Sequence, residues 1–177
     1  MAEFISFDPN VEVRGQSMLS VVAGMDETAR PLIEKYGLDK LEPDQWYPLQ
    51  PILDFYREIS LSRKAMLNLV RTGMKVPEKA VFPPEIDTLE KALMMLDEVY
   101  HLNHRGGEIG HYHARALRPR HIDIIAETPF PCDLDYGIIV GLARRFKPAD
   151  GNLAVYHDLR APCRKKGAET CTYHISW

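Results

Sequence analysis

Three cysteines, Cys132, Cys163 and Cys171, stand in the last third of the chain, in surroundings that suit metal binding. The thiolate, not the thiol, is the metal ligand, so what matters is whether each position favours the anion. Cys132 falls just ahead of an expected helix, where the dipole and free amide groups do so. Cys163 and Cys171 are separated by seven residues that include Lys165, Lys166 and Gly167. That turn lets the chain fold back and bring the two sulfurs together. Three converging thiolates suit Zn²⁺ in a tetrahedral site completed by Asp, Glu, His or water. A lone C-x7-C is not a standard finger, however, and buried structural thiols are the simpler reading of the spacing by itself.

Seven histidines are the second chemical resource. His101 and His104 close the longest expected helix, and His111 and His113 are two apart on an expected strand, sharing a face with Ile109 and Arg115. Any of the four suits a haem iron or a metal; the plainer reading is a polar sheet face and a helix C-terminus complemented by imidazoles. No CxxCH or HExxH pattern occurs. Asp133 and Asp135 sit in the first turn of a helix, where the dipole favours them, and with Asp123 they form no nucleophile–base set. The basic groups Arg118/Arg120, Arg144/Arg145 and Arg164/Lys165/Lys166 lie beside Pro or Gly without interleaved aromatics. They read as solvated turns and not as a nucleic-acid surface.

These residues must be positioned by an ordered scaffold. Apolar spacing predicts helices over Gln16–Met25, Thr28–Tyr36, Leu49–Leu61 and Lys64–Thr72. The strongest runs over Asp87–Asn103, with Leu89, Ala92, Leu93, Leu96, Val99 and Tyr100 on one side and Asp87 or Thr88 as its cap. After His104 the period shortens. Gly107–Leu117 and His121–Glu127 read as a hairpin, Asp133–Phe146 as a helix with Gly137 and Gly141 permitting close packing, and Leu153–Leu159 and Thr170–Trp177 as two further strands. The expected fold is α+β: a single domain over 1–177, N-terminal helices on one face of an antiparallel sheet, and a C-terminal ββαββ unit.

A net charge of −3 with 45% hydrophobic residues belongs to an ordinary globular protein. The start MAEFISFDPNVEVRG has no signal-peptide character and no run is long enough to span a membrane, so a cytoplasmic location is expected. Three cysteines, an odd number, do not make a disulfide framework.

The stretch CDLDYGIIVGLARRF and then VYHDLRAPCRKKGAETCTYHI resembles the C-terminal half of the 4-vinyl reductase-type domain family. Those small-molecule-binding domains are related in fold to vesicle-tethering transport-particle subunits and to haem nitric-oxide-binding domains. Cys132, Gly137, Gly141, Cys163, Gly167 and Cys171 match the pattern of the zinc-containing members. Where those members place Glu as fourth ligand, this chain has Arg160, which cannot ligate a metal. The resemblance then implies a structural zinc held by Cys132, Cys163 and Cys171 with Asp158, which shares strand parity with position 160, or else with His157.

The function expected is a non-catalytic small-molecule-binding sensor with a structural zinc beside an apolar pocket. Met94, Met95, Tyr100, Tyr112, Ile122, Ile124, Ile138 and Phe146 are candidates for its wall or simply for the core. Tyr100, His111, Tyr112 and Arg115 would orient a hydrophobic or planar ligand. A homodimer through the N-terminal helices would carry the signal. The alternatives are a haem-binding gas or redox sensor with His101, His104, His111 or His113 as axial ligand, an accessory enzyme of tetrapyrrole or aromatic metabolism, and a tethering-type scaffold.

Overall fold

The computed structural model describes residues 3–62, 65–79 and 82–177. The N-terminal part opens with a short strand β1 (Glu12–Arg14), followed by helices α1 (Gly15–Ala23) and α2 (Arg30–Lys35). Strand β2 (Trp46–Pro48) leads directly into α3 (Leu49–Ser60), and α4 (Ala65–Lys79) follows. Lys64, where the fourth expected helix begins, lies outside the described residues, and α4 runs past the expected end at Thr72 to Lys79, with Pro77 in its last turn. The sequence expectation of one helix over Asp87–Asn103 is replaced by two, α5 (Leu89–Met94) and α6 (Leu96–Leu102). Thr88 caps the first by accepting from the Lys91 amide at 3.3 Å, and the helix breaks where Met95 leaves the α region at φ −96°, ψ 6°.

Strand β3 (His104–Arg105) pairs with β1, which pairs with β2, in a small antiparallel sheet that apolar periodicity did not predict. Its strands have two or three residues, too few to show a period. The second half matches the expected ββαββ order: β4 (His111–Arg118), β5 (His121–Glu127), α7 (Cys132–Arg145), β6 (Ala154–His157) and β7 (Cys171–Ser176). These strands form an antiparallel sheet in the order β4-β5-β7-β6. The protein is α+β, with α5, α6 and α7 packed on this sheet and α4 packed across α7. Ile122, Ile124, Ala126, Cys171, Tyr173 and Ile175 are buried on one face of the sheet, and the alternate residues of β5 and β7 are only partly covered, as strand alternation requires.

Helices α4 and α7 cross at backbone contact. A Cβ on Gly137 would stand 2.3 Å from the Val70 carbonyl oxygen, and one on Gly73 would stand 2.2 Å from that of Leu134. Small residues are required here because α7 is held from the other side by the sheet. Among the described residues no helix is long and apolar enough to cross a membrane. Gly137→Ala should therefore force the two helices apart and cost about 1–3 kcal/mol, the usual range for overpacking. Urea denaturation checks this, and an unchanged midpoint would contradict the close crossing.

Candidate functional site

Two sites lie on either side of one buried ion pair. The first is built from the cysteines. Cys132 is the first residue of α7, Cys163 precedes a 3-10 turn at Arg164–Lys166, and Cys171 opens β7. Gly167, at φ +85°, closes that turn in the left-handed region that favours glycine. The Cys163 and Cys171 sulfurs are 3.8 Å apart, and all three cysteines are free and buried. Their sulfurs and one ring nitrogen of His157 lie within 4.8 Å of one another. Zn–S bonds of about 2.3 Å arranged tetrahedrally have S–S edges of about 3.8 Å, which the Cys163–Cys171 distance matches.

His157, the alternative to Asp158 as fourth member, is the residue that lies with the sulfurs. Strand β6 ends at His157, which pairs in register with Tyr173 and so shares the inner face with Cys171. Its Nε2 is buried without a hydrogen-bond partner. Asp158 has already left the strand. One carboxylate oxygen accepts from the Arg160 and Ala161 amides at 2.9 and 3.3 Å, and the other is 3.2 Å from His174 Nε2. Strand parity with position 160 therefore had no bearing, because no strand extends to it. The Cys171 thiol is pushed down by its hydrogen bond with Cys132, against burial, with His157 and the Arg164 guanidinium acting in the same direction. Three sulfurs and an imidazole nitrogen form a donor set chemically fit for zinc.

The second site is a cavity of about 360 Å³ between the helices and the sheet. Its wall is mostly apolar, including Met18, Val21, Tyr56, Val99, Tyr100, Phe130, Leu134, Ile138 and Leu142, with Arg14, Gln16, Ser17 and Asn103 as polar members. Of the expected orienting residues, Tyr100 and Tyr112 line it, while His111 and Arg115 do not. Tyr112 points inward and is buried, so its strand neighbours alternate outward, and Arg115 pairs across the sheet with Asp123. Among the wall candidates only Ile138 joins these tyrosines. Ile122 and Ile124 are core, Met94 is exposed, and Phe146 packs edge-on against Phe82.

His104 is the one histidine among the described lining residues. Its Nδ1 is 2.8 Å from the Tyr100 carbonyl oxygen, which can only accept, so Nδ1 carries the proton and Nε2 the lone pair. That Nε2 is buried and has no partner. The ring packs against Tyr100 and Phe130 at centroid distances of 4.5 and 5.8 Å. Burial depresses its pKa from 6.5 to about 4, the Tyr100 carbonyl opposing, so the imidazole is neutral at physiological pH.

Between the sites, the Tyr112 hydroxyl donates to Asp135 Oδ1 at 2.6 Å, and Thr128 Oγ1 donates to Oδ2 at 2.8 Å. Arg164 completes the carboxylate's shell through a buried ion pair. Its backbone amide points at Cys171 Sγ, 3.3 Å away. Arg164 thus departs from the solvated-turn reading of its basic cluster; Lys165 beside it, itself half-exposed, pairs with the buried Asp133. No feature of the sequence separates Arg164 from its two lysine neighbours.

Neither a family model nor a curated protein matches the sequence, so the likeness to 4-vinyl reductase-type domains has no family match behind it. Solved structures do match. The H-NOX protein of S. oneidensis in its Fe(II)NO ligation state superposes with a TM-score of 0.68 at 17% identity, covering 92% of this chain and 98% of that one. A variant of the T. tengcongensis H-NOX gives 0.66 at 16%, covering 90% and 94%. A structure probing haem distortion in the H-NOX family gives 0.64 at 15%, covering 92% of both chains. The fold is that of the H-NOX domains. At these identities the likeness is one of fold, and it bears out the expected relation to haem nitric-oxide-binding domains.

The neutral, half-buried His104 carries a pH signature. Between pH 6.5 and about 4 the unfolded chain takes up a proton that the folded imidazole refuses, so stability falls as pH is lowered through that window. The shift corresponds to about 3 kcal/mol. His104→Leu should flatten the decline, as read from urea midpoints at several pH values; a slope equal to that of the parent would contradict the burial of this ring.

Proposed function

We propose that this chain is a haem-binding gas-sensor domain in which His104 is the protein's ligand to the iron. The observation that carries the proposal is the orphaned His104 Nε2, buried without a hydrogen-bond partner on a residue that lines an apolar cavity of an H-NOX fold. From residue types alone a zinc-stapled sensor comes first and a haem sensor second; the cavity and the fold neighbours reverse that order. Haem, when bound, would supply an iron able to take a diatomic gas. The chain's own part is to hold the imidazole in one tautomer through the Tyr100 carbonyl, to surround the macrocycle with Tyr100, Phe130 and Leu134, and to exclude water. Arg14, the single charged lining residue among those described, suits the propionates, although Asp44 now holds it at 2.9 Å. His101, His111 and His113 are not among the lining residues and drop out as axial ligands.

Reconstitution with haemin followed by absorption spectroscopy tests this. The parent should develop a Soret band that shifts on adding nitric oxide or carbon monoxide. His104→Ala should lose the band, and His101→Ala and His111→Ala should keep it. A parent without a Soret band, or a His104→Ala protein that retains it unchanged, would refute the reading.

A second component rests on a separate observation, the three sulfurs and the partnerless His157 Nε2. We propose a structural zinc held by Cys132, Cys163, Cys171 and His157, which close its shell and leave no position for substrate. Native mass spectrometry of the chain should show one zinc, lost in Cys171→Ser and weakened in His157→Ala, with lowered thermal stability in both. A metal-free parent whose three thiols titrate freely while folded would overturn it.

A further inference from the structure

The histidines excluded from the cavity are not scattered. Asp97 and His101 lie one turn apart on α6, and His111 opens the neighbouring strand β4. One ligand atom from each of the three falls within 4.8 Å of the others. We propose that Asp97, His101 and His111 form a divalent transition-metal site that clamps α6 to the edge of the main sheet.

Four observations support it. His111 Nδ1 and Asp97 Oδ2 are 3.3 Å apart. Bonds of about 2.1 Å to a tetrahedral metal place two ligand atoms about 3.4 Å apart. Two of the three donors, Asp97 and His101, are also preset by backbone groups. Asp97 Oδ1 accepts from the Tyr112 amide at 2.8 Å, so Oδ2 is the oxygen turned to His111. His101 Nδ1 is 2.8 Å from the Asp97 carbonyl oxygen, which fixes the tautomer and leaves Nε2 with the lone pair. On the far side of the His111 ring, Nε2 is 3.8 Å from Glu108 Oε1, and that carboxylate is itself anchored by the Gly110 amide at 2.7 Å. A carboxylate or carbonyl behind a metal-binding imidazole is the arrangement that orients such ligands and raises their basicity.

Charge points the same way. Among the described residues no lysine or arginine pairs with Asp97 or Glu108, and their ion-pair partners are His101 and His111 alone. Two carboxylates thus face imidazoles at half-exposed positions, without a permanent cation among the described residues. Two nitrogens and one oxygen suit Zn²⁺, Ni²⁺ or Cu²⁺ better than Mg²⁺ or Ca²⁺, and three protein ligands leave room for water or an external group. The site lies on α6 turned away from the cavity, which Val99 and Tyr100 of the same helix line, and does not depend on what the cavity holds.

The test is a Zn²⁺ titration of the full chain, followed by nitrogen-edited NMR of the histidine rings and by calorimetry. The rings of His101 and His111 should shift together in one saturable step, separate from any change at His157 that reports the thiol cluster. His101→Ala and His111→Ala should each weaken that step at least about tenfold, the loss seen even for outer partners of metal ligands, and Glu108→Gln should weaken it less. His113→Ala should leave it unchanged. Rings that stay unshifted while zinc saturates elsewhere, including at His121, Asp123 and His174, would overturn the proposal, as would His111→Ala binding as the parent does.

Discussion

The buried ion pair between Asp135 and Arg164 is the interaction on which both sites depend. The two side chains are almost wholly inaccessible, 0% and 4% exposed as residues. Removing two charges from water costs several kcal/mol per ion, and attraction offsets this only where the remaining donors and acceptors are filled. Here they are largely filled. Asp135 receives Tyr112, Thr128 and Arg164, while the guanidinium also donates to the Thr128 and Phe130 carbonyls, at 2.9 Å for Phe130. Burial pushes the Asp135 carboxyl upward, and Arg164, Tyr112 and Thr128 hold it down. Removing one partner would leave an uncompensated charge in the core, which is why such a pair fixes geometry even where it contributes little net stability.

Its geometry reaches further than its energy. Arg164 lies directly after Cys163, and its amide is directed at Cys171, so the guanidinium anchor sets the loop that brings two sulfurs together. Asp135 lies one turn after Cys132 on α7 and, through Tyr112, fixes one wall of the cavity. The Tyr173 hydroxyl adds a tie from β7 to the Cys132 carbonyl at 2.8 Å. One ion pair therefore positions a cavity wall and two sulfurs of the cysteine cluster. The crossing of α4 over α7 at Gly73, Gly137 and Gly141 locks the same helix from the opposite side.

Much of this scaffold was legible in the sequence. The alternation in β5 and β7 and the glycines of α7 have periods or residue types that survive any tertiary setting, so the ββαββ unit could be read directly. The small sheet could not, since strands as short as His104–Arg105 have no period to show. The break at Met95 escaped because the apolar positions keep helical spacing through it. Which of the neighbours Asp158 and His157 lies with the cysteines was not legible, because the choice turns on the point where β6 ends. Arg164 had no local mark at all, because its burial is decided by Asp135, far away in sequence.

The histidines show most clearly how backbone phase sorts chemistry. His101 and His104 are three apart and would share a helical face if α6 continued. Instead the helix stops at Leu102, and His104 enters β3, opposite Val13, where it joins the cavity lining. His101, still helical, keeps the side it shares with Asp97. On β4 the alternation then sends Tyr112 inward and His111 outward, beside that same aspartate. Two residues of helix termination thus separate an imidazole in an apolar cavity from a pair at the surface. Which histidine serves which chemistry is a property of where α6 ends, and not of the histidines themselves.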